Sequence, residues 1–158
     1  SMTVKDIKLG KGVDNLKFGI TRKEVVNLLG EPSEKETIEG DDEMGSSEAW
    51  HYDELELSVT FDEDDDWRLS SIAASSSDFT FEGVDLLGLS QEEVMQQIEI
   101  MNLGEIETEE IIGDEEEDQQ VATIAEVSLN LWFENGKLSE IQWAPYWDEE
   151  EEEYIWPE

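Results

Sequence analysis

The chain has 158 residues, no cysteine and a formal net charge of −35, from 44 Asp and Glu against nine Lys and Arg. Without cysteine there is no disulfide, thiolate metal site or thiol nucleophile, and an acid excess of this size repels nucleic acid and anionic membrane surfaces. The charge is also uneven: Lys5, Lys8, Lys11, Lys17, Arg22, Lys23 and Lys35 share the first 35 positions with five acids, whereas every later acid is offset only by Arg68 and Lys137. Concentrated like charge destabilises a compact state by self-repulsion. Its natural complement is a basic protein, which such a field steers into encounter at high rate.

A hydrophobic content of 37% with six Trp and five Phe points to a folded body with solvated acidic loops, in one domain or two small lobes. No apolar stretch is long enough to span a membrane, and none at the start resembles a signal peptide. Together with the missing cysteines this predicts a cytoplasmic protein. Ser1 ahead of Met2 reads as a cloning remnant, which leaves a removed leader open.

In chain order, Gly12-Val13-Asp14 is followed by Gly19-Ile20-Thr21-Arg22-Lys23-Glu24-Val25. The Thr21 hydroxyl with Glu24 three residues on is a capping box, so a helix is predicted from Thr21 through Val25, Val26, Leu28 and Leu29, stopped by Gly30 before Pro32. Trp50-His51-Tyr52 reads as strand. Leu55, Leu57, Val59 and Phe61 alternate with polar residues, predicting a second strand with one buried face. It runs through Asp62-Glu63-Asp64-Asp65-Asp66 into another from Leu69 to Ile72. After Ser75-Ser76-Ser77 the pattern returns. Gly83-Val84-Asp85 leads to Gly88-Leu89-Ser90-Gln91-Glu92-Glu93-Val94, a second capping box whose helix carries Val94, Met95, Ile98 and Met101 and is expected to stop at Gly104. Val127, Leu129, Leu131 and Phe133 then alternate as a strand, and Asn135-Gly136 predicts a tight hairpin into Leu138 to Ile141. The expected fold is α+β, with two tandem repeats, each a short helical element packed on an antiparallel β-meander. They would occupy residues 1–75 and 78–146, with an acidic, aromatic tail over 147–158.

The segment Gly19-Ile20-Thr21-x-x-Glu24-Val25-x-x-x-Leu29-Gly30-x-Pro32, with its strands and Phe-turn-Leu-x-x-Ile hairpin, resembles the repeat of the β-lactamase-inhibitor-protein fold and of the small outer-membrane assembly lipoproteins. The resemblance covers most of residues 12–144. It implies a helical element on one face of a four-stranded antiparallel sheet, a tandem pair in the inhibitor branch, and binding of other proteins without catalysis. The lipidated cysteine of the lipoproteins and the disulfides of the secreted inhibitors have no counterpart here, so anchoring and secretion do not carry over.

Catalytic patterns are lacking. His51 is the sole imidazole and no Gly-x-Ser-x-Gly elbow accompanies it; Gly10-Lys11-Gly12 is neither a phosphate loop nor a dinucleotide fingerprint. Asp62, Asp64 and Asp66 alternate as calcium ligands often do, and Asp114 to Asp118 cluster again. Counted from Asp62, however, the glycine and glutamate an EF-hand loop requires at its sixth and twelfth positions are Trp67 and Ala73. A solvated hairpin tip is the plainer reading. No enzyme activity, cofactor or metal is expected.

Three acidic stretches remain: Asp62 to Asp66, Glu105 to Asp118 and Asp148 to Glu153. The last is bracketed by Trp143, Tyr146 and Trp147 before it and Tyr154 and Trp156 after it. Rigid aromatics anchor interfaces because they bury large areas at low entropic cost. A surface combining them with carboxylates would imitate nucleic acid, acids standing for phosphates and rings for bases. The candidate partner-binding residues are Asp62, Asp64, Asp65, Asp66, Glu115, Glu116, Glu117, Trp147, Asp148, Glu149, Glu150, Tyr154 and Trp156. The alternative for the tail is a solvated strand whose aromatics fold back on the sheet. The function expected is that of a bacterial immunity or inhibitor protein, monomeric or weakly dimeric, that neutralises a basic, nuclease-like toxin. The alternatives are an envelope assembly lipoprotein-like factor, a carboxylate-rich Ca²⁺-binding domain, or a halophile's domain acidic for solubility alone. On the binding reading, the lysine-rich start is expected to be the side turned away from the acidic, aromatic-edged face.

Overall fold

The computed structural model describes residues 2–112 and 118–158. Its large sheet has eight antiparallel strands, and two helices and a small sheet cover one face. The chain starts with three short strands, β1 (Asp6–Lys8), β2 (Gly12–Val13) and β3 (Leu16–Lys17), then helix α1 (Arg22–Leu29) and strands β4 (Glu34–Ile38), β5 (Ser47–Tyr52), β6 (Leu57–Asp62) and β7 (Arg68–Ala74). After β8 (Thr80–Phe81) come helix α2 (Gln91–Met101) and strands β9 (Glu107–Ile111), β10 (Gln119–Ile124), β11 (Leu129–Glu134) and β12 (Lys137–Trp143). A terminal hairpin, β13 (Tyr146–Asp148) and β14 (Glu153–Ile155), closes the chain.

The large sheet has the order β4-β5-β6-β7-β12-β11-β10-β9, so its middle is the β7–β12 pair. Alternation along each strand separates its faces. On the inner face one register row runs Trp50, Val59, Ile72, Trp143, Leu129, Ile124, and the next Tyr52, Leu57, Ala74, Ile141, Leu131, Ala122. All twelve are buried, in one core shared with Ile7, Phe18, Val25, Phe81, Val94 and Ile98. Burying an apolar side chain of this size contributes about 1.5–3 kcal/mol. The opposite face is polar and open. A row across all eight strands reads Glu34, His51, Ser58, Ala73, Gln142, Asn130, Thr123, Glu107.

Both helices start where the hydroxyl signals place them. Thr21 Oγ1 accepts from the Glu24 N–H at 3.2 Å, and Glu24 Oε1 accepts from the Thr21 N–H at 3.0 Å, a complete reciprocal box. Ser90 Oγ accepts from the Glu93 N–H at 3.2 Å, but Glu93 takes the Ser90 hydroxyl at 2.9 Å. The Ser90 backbone is instead bridged to Lys137, which leaves the second box half formed. Gly30 ends α1 at φ 82°, as expected, whereas α2 is ended by Asn102 at φ 53° and not by Gly104. Asn tolerates the left-handed conformation, so the helix stops two residues before the glycine. Leu55 and Val127, read as strand starts, lie in the turns before β6 and β11 and only partly enter the core.

Each helix is tied to the sheet in the same way. Gly19 N–H donates to the Leu69 carbonyl at 2.8 Å and Leu69 N–H to that of Ile20 at 2.8 Å. Gly88 N–H donates to Leu138 at 2.9 Å and Leu138 N–H to Leu89 at 3.0 Å. The small sheet, ordered β3-β2-β1-β8, pairs β8 in parallel with β1 and so joins the chain start to the segment after the serine run. Among the described residues no helix is long and apolar enough to cross a membrane.

Candidate functional site

The chain leaves the core at Trp143, which is 1% exposed, edge-on to Phe18, and carries an indole N–H without a partner among the described residues. Ala144 N–H donates to the Ser128 carbonyl, and the terminal hairpin follows. The hairpin spans Tyr146 to Ile155 of the C-terminal stretch. In the hairpin Tyr146 faces Ile155, Trp147 faces Tyr154 and Asp148 faces Glu153. Its turn is held by the Asp148 carboxylate, which accepts from the N–H groups of Glu150 at 3.0 Å and Glu151 at 3.2 Å. Asp148 thus shapes the loop, while Glu149 and Glu150 stand exposed.

Strand alternation puts the two members of each pair on one side of the hairpin. One side forms an aromatic ladder: Trp147 meets Tyr154 edge-on with centroids 5.2 Å apart, and Tyr154 meets Trp156 at 5.4 Å. The ladder is graded from solvent to core. Trp147 is 48% exposed, whereas Trp156 packs on the core, with the Arg68 guanidinium 5.5 Å from its ring centroid. Two glycines admit the hairpin. A Cβ on Gly10 would meet the Tyr146 ring at 2.6 Å, and one on Gly19 would meet Trp156 at 3.1 Å. Both take positive φ, 73° and 95°, which glycine adopts without steric cost.

The ladder brings together two acidic stretches that are far apart in sequence. The Arg68 guanidinium over Trp156 brings the start of β7 to the hairpin, and burial, then the carboxylates of Asp65 and Asp62, push the Tyr154 hydroxyl above its ordinary pKa. Within the β6–β7 turn the acids differ. Asp62 is spoken for: its carboxylate accepts from Ser47 Oγ and, at 2.8 Å, from Ser70 Oγ. Asp64 accepts from the Gly45 N–H at 3.0 Å, and Glu63 from that of Ser46 at 3.0 Å. These bonds hold the loop between β4 and β5. Asp65 is half-buried, and desolvation followed by repulsion from Asp62, Asp64 and Asp66 raises its pKa. Asp66 is exposed at φ 56°, the left-handed end of the turn. Glu115, Glu116 and Glu117 lie outside the described residues.

The other side of the hairpin was not legible in the charge pattern. Tyr146, Ile155 and Pro157 line a groove of about 460 Å³ with Gly10, Lys11 and Lys17. Two lysines of the basic start, Lys11 and Lys17, line this side of the hairpin, opposite the aromatic ladder. The signal for this was the pair Gly10 and Gly19, the places where another chain segment approaches closely.

Elsewhere, His51 Nδ1 lies 2.8 Å from Ser58 Oγ and Nε2 lies 3.2 Å from Glu36 Oε1, on the open sheet face. A groove beside it is lined by Glu34, Glu56 and Glu140, whose carboxyl is pushed up by burial. Among the described residues no group of His, Asp and Glu has the arrangement of a metal site. No protein-family model, curated protein or solved structure matches this chain.

Proposed function

We propose that this chain is a non-catalytic immunity or inhibitor protein that binds and neutralises a basic, nuclease-like toxin. The observation that carries the reading is the terminal hairpin, where an exposed tryptophan beside an acidic turn heads an aromatic ladder that ends on Arg68, the residue that follows the acidic β6–β7 turn. A cationic side chain of the partner lies against Trp147 and between carboxylates, where it gains both ring and charge attraction. The remaining field speeds encounter, and the aromatic anchor sets the dissociation rate.

The scaffold is read as a duplication. The motif Gly-apolar-hydroxyl-x-x-Glu-Val recurs at one offset, and the same offset relates the Gly19–Leu69 and Gly88–Leu138 backbone bridges. Duplicated helix-on-sheet units that bind proteins are what the β-lactamase-inhibitor-like resemblance implies. A duplicated frame leaves its turns free to diverge, and the β6–β7 turn is where acid was added.

The test is a titration of the purified chain with a basic nuclease domain, beginning with the product of the reading frame next to its own gene. Tight association that weakens steeply with salt and silences the nuclease is expected. Trp147→Ala should cost about 2 kcal/mol of binding or more and leave the fold intact. Absence of binding at low salt, or an affinity indifferent to Trp147, counts decisively against the reading.

A further inference from the structure

Among the described residues each outer strand of the large sheet is hydrogen-bonded on one side only: β4 to β5 and β9 to β10. A sheet edge presents a row of free backbone N–H and C=O groups, which recruit another strand unless something prevents it. The two edges differ in charge. Strand β4, Glu-Lys-Glu-Thr-Ile, sets Lys35 between Glu34 and Glu36, so it carries one net negative charge against three on β9, and the Lys35 ammonium sits 4.5 Å from the Trp50 ring centroid and 3.6 Å from Glu31. It borders a groove that also holds Arg22 and Lys23. Strand β9 reads Glu-Thr-Glu-Glu-Ile. Glu107, Thr108, Glu109 and Glu110 are exposed, and none of the three carboxylates forms an ion pair among the described residues.

Register decides what this edge accepts. Glu107 and Glu109 lie opposite Thr123 and Val121, so they point to one face, and Glu110, opposite Gln120, points to the other. An added strand therefore meets carboxylates on both its faces. Like charges directly opposite destabilise a strand pair and opposite charges stabilise it. A second copy offering the same strand brings glutamate to glutamate and is turned away. A strand bearing Lys or Arg gains a charge pair with each ladder step.

We propose that β9 is a strand-addition edge, which takes an extended basic segment of the partner as a ninth strand of the sheet. The inference rests on the basic-partner reading above and adds a mode of recognition: backbone bonds supply affinity and Glu107, Glu109 and Glu110 select the charge. The probe is a short synthetic peptide alternating Lys and Val, added to the intact chain while amide hydrogen exchange is followed residue by residue. Slowed exchange in β9, affinity that falls with salt, and no binding by the same peptide N-methylated on alternate amides are the results expected. Replacing the three acids together, Glu107→Lys, Glu109→Lys and Glu110→Lys, should weaken the peptide roughly tenfold or more, since three exposed ion pairs become repulsive. Because all three side chains are exposed, the variant should keep the native circular dichroism spectrum, which is recorded alongside. The proposal is overturned if the N-methylated peptide binds equally well, if protection appears at the terminal hairpin and not at β9, or if nothing binds at low salt. A peptide that leaves β9 untouched while the nuclease domain still binds removes this inference alone. Protection of β9 without any nuclease binding supports the edge and removes the toxin reading.

Discussion

The two ends of the large sheet carry the same succession of strands outward from the β7–β12 seam, yet they handle charge differently. At the β4 end, cations lie on tryptophans: the Arg22 guanidinium is 4.6 Å from the Trp67 ring centroid and 2.8 Å from Glu48, and Lys35 covers Trp50. At the β9 end the corresponding helix start is acidic, with Glu92 and Glu93 in its first turn, and the Gln91 amide donates to Gln120 at 2.8 Å. The hairpins diverge too. The β11–β12 turn is the two-residue Asn135-Gly136, both at positive φ, whereas the β6–β7 turn is enlarged by a short acidic 3₁₀ segment, Glu63–Asp65. The apolar rows run from β5 to β10 across the seam and stop short of the exposed edge strands, so the core packing is common to both halves. Charge in this protein is therefore separable from fold.

That comparison can be broken most forcefully in the core. Leu69→Ala and Leu138→Ala remove side chains that are 0% and 2% exposed and should each cost about 2–5 kcal/mol in urea denaturation. Because one core spans both ends, both substitutions should shift a single transition; two separate transitions would show that the ends are independently stable. Next in size are the caps. Thr21→Ala and Ser90→Ala should each cost about 1 kcal/mol in thermal unfolding, Thr21 more, because only its box is reciprocal. Equal losses would mean that the second half of the box contributes nothing. The cation–ring contacts come third: Arg22→Ala and Lys35→Ala should each lose about 0.5–1 kcal/mol, and the loss should persist in salt better than an exposed ion pair does.

The smallest effect has the opposite sign. Burial and neighbouring carboxylates raise the Asp65 pKa, so protonation favours the folded chain. Its contribution is complete below the unfolded value near 3.8 and is lost as pH rises through the raised folded value. Glu140, raised by burial, acts in the same direction. The melting temperature should therefore climb as pH falls from neutral toward that window, and Asp65→Asn should stabilise the chain at neutral pH and flatten the climb. An unchanged pH slope in the variant would remove Asp65 as its source.

How much was legible follows the range of the interactions. The helix starts at Thr21 and Ser90 were readable because a cap needs only a hydroxyl and an N–H three residues on. The strands around Val59 and Leu131 were readable because period-two alternation is local. The end of α2 was misread because Gly104 is the stronger stop signal, yet Asn102 reaches the left-handed conformation first. Asp62 looked like its acidic neighbours but is satisfied by Ser47 and Ser70 across the sheet. For the tail the sequence left two readings open, a partner-binding surface and aromatics folded back on the sheet, and contacts with Gly10, Gly19 and Arg68, distant in the chain, set how its rings pack.

Sequence alone was enough for the two helix starts, the strands around Val59, Ile72, Leu131 and Ile141 and the surplus of acid, since these depend on residues a few positions apart or on composition. Contacts across the fold decided that β7 pairs with β12, that Arg68 lies over Trp156, and that β9 is paired on one side only among the described residues. Those outcomes depend on contacts between residues distant in the chain. The loop-closure entropy of bringing them together is offset by burial shared over the whole core, which no local pattern records.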